Sequence, residues 1–210
     1  MGRGKFLVIE GLDGAGTTTQ AACLVASLRR RGLAVHATCE PSKGPIGALI
    51  RQALSGRLSV DATGKALSPR SLALLFAADR EDHLEAEVLP ALEQGHWVIS
   101  DRYLLSSLAY QSLSSSMDWI MALNQHALVP DCTVFLKIEP ELAAQRMRTR
   151  PHAELYEALE TQKRVAENYE CAIAVRRQAG EHILCMEASL PREELSRRME
   201  NALHQYFGLE

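Results

Sequence analysis

The sequence predicts an α/β fold built on a five-stranded parallel sheet with helices on both faces. Short apolar runs recur along the chain, each separated from the next by a stretch with helical spacing. The first run also ends directly in a glycine loop that opens a helix, and such sheets bind ligands outside the carboxyl ends of their strands.

Taken in order, Phe6–Glu10 reads as a buried strand. Thr17–Arg31 has helical spacing, with Ala21, Leu24 and Leu28 on one face, and Gly32 closes it. Ala34–Thr38 is the second strand. Pro45–Leu54 and Pro69–Glu93 are helices, the second long and amphipathic. His96–Ser100, after Gly95, is the third strand, and a helical stretch from about Leu104 to Leu128 stops before Pro130. The serine run Ser112, Ser114, Ser115 and Ser116 falls inside that stretch and reads as a loop or kink. Thr133–Ile138 is a strand rich in β-branched and aromatic residues. Glu141–Arg150 and Glu154–Ala179 are helical and are broken by Pro151. His182–Met186 is the last strand and Arg192–Tyr206 the last helix.

The 210 residues fit one domain, 1–210, with no repeat and no Pro/Gly/Ser-rich linker. A net charge of −3 supplies no basic field for a nucleic-acid polymer. The five cysteines are scattered with no C-x-x-C pair, and the seven histidines show no metal-ligand spacing, so neither a metal cluster nor a disulfide framework is expected. Met1–Lys5 is too short for a signal peptide, and the longest apolar stretch, Leu72–Ala78, stops at Asp79. No membrane association is expected, and the expected location is the cytoplasm. Trp97 and Trp119 read as packing residues.

After the first strand comes Gly11-Leu12-Asp13-Gly14-Ala15-Gly16-Thr17-Thr18. It follows the phosphate-loop pattern G-x-x-x-x-G-K-[ST] except that Thr17 replaces lysine. The glycines let main-chain N–H groups turn toward a phosphate chain, and the next helix adds its positive end. The Thr18 hydroxyl suits Mg²⁺. A glycine-rich turn without a ligand remains the alternative. The lost lysine would have followed charge developing in transfer. One preorganised donor is worth on the order of 3–4 kcal/mol, so its absence handicaps a phosphotransferase without abolishing it.

The third strand runs into Asp101-Arg102-Tyr103. An aspartate there can orient Mg²⁺ or its waters, and the arginine can clamp a phosphate. Alternatively, Asp101 caps the following helix and Arg102 makes a structural ion pair. The stretch Ile99–Gln111, with Asp101-Arg102-Tyr103 and Ser106-Ser107-Leu108-Ala109-Tyr110-Gln111, resembles the thymidylate kinase (dTMP kinase) signature, and so does Val8–Gly16. Glu40-Pro41 with Gly47 and Arg51, Leu75-Phe76-Ala77-Ala78-Asp79-Arg80, and Pro130-Asp131 extend the resemblance in order from residue 6 to about residue 190.

The resemblance implies a P-loop NTPase three-layer fold with a small lid at about residues 141–158. It implies donor-phosphate binding by Gly11, Asp13, Gly14, Ala15, Gly16, Thr17, Thr18 and Thr19. Asp13 would lie near the acceptor sugar and count among the catalytic residues with Asp101. Phe76 would stack on the thymine ring, and Glu40 with Arg51, Arg80 and Arg102 would hold or approach the acceptor. Ser106, Tyr110 and Gln111 would shape the acceptor pocket, and Thr18 with Asp101 would serve Mg²⁺. The family also implies a homodimer.

Arg146, Arg148 and Arg150 follow the fourth strand at spacings that spread around a helix. A solvated basic face is one reading. In the resembling family this segment is the lid, and members with glycine at the position of Gly14 carry the catalytic arginine there. Arg146 and Arg150 are therefore expected to face the phosphates and to stabilise transition-state charge. The chain departs from the family at Thr17, at Cys39 in place of arginine, at Ser42-Lys43 in place of two glycines, at Ala48, and at Glu154-Leu155 in place of Asp-Arg. Lys43 reads as a solvated loop lysine, with a substitute cation as the alternative.

The expected activity is transfer of the ATP γ-phosphoryl group to dTMP. The alternatives are a regulatory module that binds nucleotide without transfer, favoured by Thr17 and Leu155, and a kinase for another nucleoside or nucleotide acceptor.

Overall fold

The computed structural model describes residues 3–58, 64–147 and 158–208. β1 (Phe6–Gly11) is apolar apart from Glu10 and Gly11, and every residue in it is buried. It lies at the centre of a five-stranded sheet of order β2-β3-β1-β4-β5, where β2 is Val35–Cys39, β3 Trp97–Asp101, β4 Cys132–Lys137 and β5 Ile183–Glu187. All four pairings are parallel. A strand covered on both faces buries every side chain, which explains why β1 and most of β3 and β4 read as continuous apolar runs. Each fully buried Leu, Ile or Val contributes about 1.5–3 kcal/mol.

β2, β3 and β5 sit one residue later than their apolar runs suggest, and β4 sits one residue earlier, starting at Cys132 and ending at Lys137. The added last residues of the later strands, Cys39, Asp101 and Glu187, do not prolong an apolar pattern. They still pair, Cys39 with Asp101 and Lys137 with Glu187, because the neighbouring strand extends equally far.

The helices are α1 (Thr17–Arg30), α2 (Pro45–Leu54), α3 (Pro69–His83), α4 (Leu89–Glu93), α5 (Leu104–Tyr110), α6 (Met117–Leu123), α7 (Pro140–Met147), α8 (Leu159–Gln178) and α9 (Arg192–Phe207). Ser68 starts α3 by accepting the Ser71 N–H at 3.1 Å, with Pro69 in the first helical position. The expected long helix 69–93 is continuous, but it widens into a π-helical turn at Leu84–Val88. There the Leu89 N–H bonds the Leu84 carbonyl, and Pro90 follows. Proline has no N–H for the i−4 carbonyl, and a wider turn relieves the clash of its ring.

The single helix expected over 104–128 is corrected to α5, a 3₁₀ turn at Gln111–Leu113, and α6. The serine run breaks it: Ser116 leaves the helix and caps α6 by accepting the Trp119 N–H at 3.4 Å. α6 ends at Leu123, well short of Pro130. Trp97 meets Phe207 edge-on at 5.1 Å, and Trp119 packs against the core, so both are packing residues. The expected helices 141–150 and 154–179 are described only as α7 and α8, and residues 148–157 lie outside the described residues. No helix among the described residues is long and apolar enough to cross a membrane.

The chain leaving β1 travels one way along the sheet to β2, and the connections from β3 and β4 travel the other way. The carboxyl ends of β1 and β3 therefore open onto a crevice that no crossover fills.

Candidate active site

β1 delivers the chain into the glycine loop at that crevice. The Leu12 carbonyl accepts the Ala15 N–H at 3.0 Å and closes the turn. Gly14 and Gly16 take φ of 88° and 92°, a region L side chains rarely adopt. α1 starts behind Gly16 with no side-chain cap, so its first-turn N–H groups and positive end are directed at the loop, an arrangement suited to phosphate.

The register of β1 on β3 pairs Ile9 with Asp101 and brings that carboxylate to the loop. The Thr18 hydroxyl donates to Asp101 Oδ2 at 2.5 Å. Asp101 Oδ1 is buried with no hydrogen-bond partner among the described residues. Asp101 does not cap α5, whose N-cap is Tyr103.

Arg102 has φ of 73°, the one left-handed non-glycine residue among those described, and such backbone costs about 1–3 kcal/mol. Its guanidinium holds it there. Nη2 donates to Asp13 Oδ1 at 2.6 Å, and Nη1 to the Gly11 carbonyl at 2.8 Å and Ser106 Oγ at 3.2 Å. Burial opposes the charge, but Asp13, Tyr110, Tyr169 and Glu10 together outweigh burial and hold the guanidinium well above its ordinary pKa.

Beneath Arg102 lies Glu10, fully buried. Its Oε1 accepts the N–H groups of Tyr103 at 2.9 Å and Ser106 at 3.1 Å. Its Oε2 accepts the hydroxyls of Ser106 at 2.6 Å and Tyr169 at 3.1 Å. Burial still lifts its pKa above the ordinary 4.5, against these donors and Arg102. Tyr110 approaches from α5, and its hydroxyl accepts the Asp13 N–H at 3.1 Å.

Two cavities share the loop. The smaller, about 280 Å³, has Asp13, Asp101 and Arg102 at one end and is lined by Glu40, Arg51, Phe76, Arg80, Ser106, Tyr110 and Gln111. Cys39 also lines it, and burial, with Asp101 adding to it, pushes its thiol pKa up. Arg80 is 1% exposed and donates to Glu40 at 2.7 Å, to Ser107 at 2.9 Å and to Asn124. Arg51 donates to the carbonyls of Pro41 and Ser42. Gln111 Oε1 is buried with no hydrogen-bond partner among the described residues.

The larger cavity, about 660 Å³, is lined by Gly14, Ala15, Gly16, Thr19 and Gln20, with α7 and the β5–α9 loop as walls. Arg146 lines it and donates to the Ala188 carbonyl at 3.0 Å. Arg148 and Arg150 lie outside the described residues. Of the residues singled out in the sequence, Gly14, Ala15, Gly16, Thr19 and Arg146 line the larger cavity. Asp13, Glu40, Arg51, Phe76, Arg80, Asp101, Arg102, Ser106, Tyr110 and Gln111 line the smaller, while Gly11, Thr17 and Thr18 belong to the loop and line neither.

The family model described as thymidylate kinase matches residues 9–199. The chain belongs to the thymidylate kinase family. A relative from Pyrococcus abyssi, named "Probable thymidylate kinase", is 41% identical over 169 residues, covering 80% of this chain and 82% of the relative. A relative of the same name from Thermococcus gammatolerans is 43% identical over 169 residues, 79% and 81% of the two chains. The "Thymidylate kinase" of Halalkalibacterium halodurans is 39% identical over 179 residues, 81% and 83%.

Within this thymidylate kinase family chain, sequence reasoning passed over several residues that build the site. Glu10 gave a signal, a carboxylate inside an apolar strand, which must find donors when buried. Tyr169 gave none, because it reaches Glu10 across 159 residues of chain. Ser42 is buried and bridges two elements. Its N–H and hydroxyl donate to Asp79 at 2.7 and 2.6 Å, and its hydroxyl accepts the Gly44 N–H at 3.0 Å.

Proposed function

We propose that this chain transfers the γ-phosphoryl group of ATP to dTMP, giving dTDP and ADP. One observation carries this reading beyond family membership: consecutive loop residues face different cavities, Gly14 the larger and Asp13 the smaller. A donor in the larger cavity would present its terminal phosphate across that boundary to an acceptor phosphate in the smaller one. Such transfer needs positioning and charge stabilisation and no covalent enzyme intermediate.

In this reading the loop N–H groups from Gly11 to Thr19 hold the donor phosphates. Arg51, Arg80 and Arg102 face the acceptor, Phe76 stacks on its base, and Gln111 Oε1 offers an unclaimed acceptor to a base N–H. Arg146, with Arg150 from the lid at about 141–158, takes up charge in the absence of a lysine at position 17. The partnerless Oδ1 of Asp101 and the adjacent Thr18 hydroxyl are an oxygen donor set that fits Mg²⁺ or its waters. When bound, the ion would neutralise the charge of the phosphates. We read the enzyme as a cytoplasmic homodimer acting on small nucleotides, and Leu49 and Leu74, exposed on the neighbouring helices α2 and α3, support a packed helical face.

A steady-state assay coupled to ADP release, with dTMP against dUMP, dCMP, dGMP and AMP, tests the activity. Turnover with dTMP as the preferred acceptor is expected. ATP and dTMP binding with no ADP formed at high enzyme concentration would sink it.

A further inference from the structure

His83, in the last turn of α3, has a fully buried side chain (0% exposed) and lies outside the acceptor cavity lining. Its ring is bracketed on both sides. Nδ1 is 3.3 Å from Glu40 Oε1, and Nε2 is 2.7 Å from Thr38 Oγ1. Glu40 gives its other oxygen, Oε2, to Arg80 Nη2 at 2.7 Å. A carboxylate paired with a guanidinium only accepts, so the Nδ1 facing it carries the proton. His83 and Arg80 thus divide the two oxygens of one carboxylate, which is 3% exposed.

Only Arg80 and Glu40 of this set line the cavity. With Oε1 left without a donor, the Glu40 carboxylate could turn to recover one and release Arg80, because an unpaired buried acceptor is costly. Arg80 is also held by Ser107 and Asn124, so it would remain inside but lose its angle to the acceptor. We infer that His83 is a positioning residue for acceptor binding, acting through Glu40 on the Arg80 guanidinium. This rests on the reading of the smaller cavity as the dTMP site.

The test compares His83→Asn with His83→Gln. The asparagine amide nitrogen takes the place of Nδ1 and keeps the bond to Glu40. The glutamine nitrogen takes the place of Nε2 and loses it. The readouts are the calorimetric Kd for dTMP, KM, kcat and melting temperature. His83→Asn is expected to hold Kd and KM within about threefold of wild type, while His83→Gln raises both by about tenfold with kcat little changed. Equal dTMP affinity in the two variants, a fall confined to kcat, or failure of both to fold would overturn the inference. Wild-type protein that binds no dTMP would overturn the cavity assignment first, so the wild-type titration tells the two failures apart.

Discussion

Gly14 and Ala143 bring the phosphate loop and α7 into backbone contact: a Cβ at position 14 would lie 2.5 Å from the Ala143 carbonyl oxygen. The glycine is therefore required by α7 as well as by its own φ of 88°. At Gly16, φ is 92° but an added Cβ meets nothing within 4 Å. Gly14→Ala is expected to lower stability by about 2–4 kcal/mol and Gly16→Ala by about 1–2 kcal/mol, read from urea unfolding. Equal costs would show that α7 does not press on the loop.

Thr17 heads α1 where the loop lysine is expected. If arginines from the lid carry the transition-state charge, Thr17→Lys should change kcat/KM modestly, by less than about tenfold. Arg146→Ala or Arg150→Ala should each cost more than about 2 kcal/mol in transfer. Negligible effects from both arginine changes would refute the compensation.

The Thr18–Asp101 pair should govern the magnesium requirement. Asp101→Asn is expected to lower kcat by about 10²-fold and to raise the Mg²⁺ concentration for half-maximal rate. Thr18→Val should shift the same curve less far. A magnesium titration unchanged in both variants would place the ion elsewhere.

Ser42 joins the loop after β2 to α3 through Asp79. Ser42→Ala removes one of two donors to a buried carboxylate and should cost about 1–3 kcal/mol in unfolding free energy, with KM for the acceptor rising because Arg51 donates to the Ser42 carbonyl at 2.6 Å. A variant as stable as wild type would mean that a water takes over the bond.

Glu87 carries an acid-side dependence. Burial alone would raise its pKa, but hydrogen bonds from His36 and Thr38 and the charge of His83 outweigh this and hold it below the ordinary 4.5. A depressed carboxyl contributes stability above its unfolded pKa and loses it as pH falls through the folded value. The urea midpoint should therefore fall on acidification below pH 4.5, and fall less steeply in Glu87→Gln. Glu10, raised by burial, has the opposite sign: its contribution is present below pH 4.5 and is lost as pH rises through its folded pKa. Parallel acid slopes for wild type and Glu87→Gln would remove Glu87 from this account.

The elements were legible where one local signal dominated. Phe6–Glu10 reads as strand because both faces are covered, and Pro69 behind Ser68 marks a helix start that the structure keeps. The stretch from Leu104 failed because its apolar spacing is helical throughout. What breaks it is competition by serine hydroxyls for backbone N–H groups, a small local effect that spacing does not register.

The sequence by itself determined the order of strands and helices and the glycine loop between β1 and α1, because periodicity and turn chemistry are local properties of the chain. Only the tertiary structure decided that Glu10 answers to Tyr169, that Ser42 answers to Asp79, and that His83 and Arg80 share Glu40. A buried polar group must find its partner wherever the fold brings one. Across 159 residues or 37, no spacing rule names which one that will be.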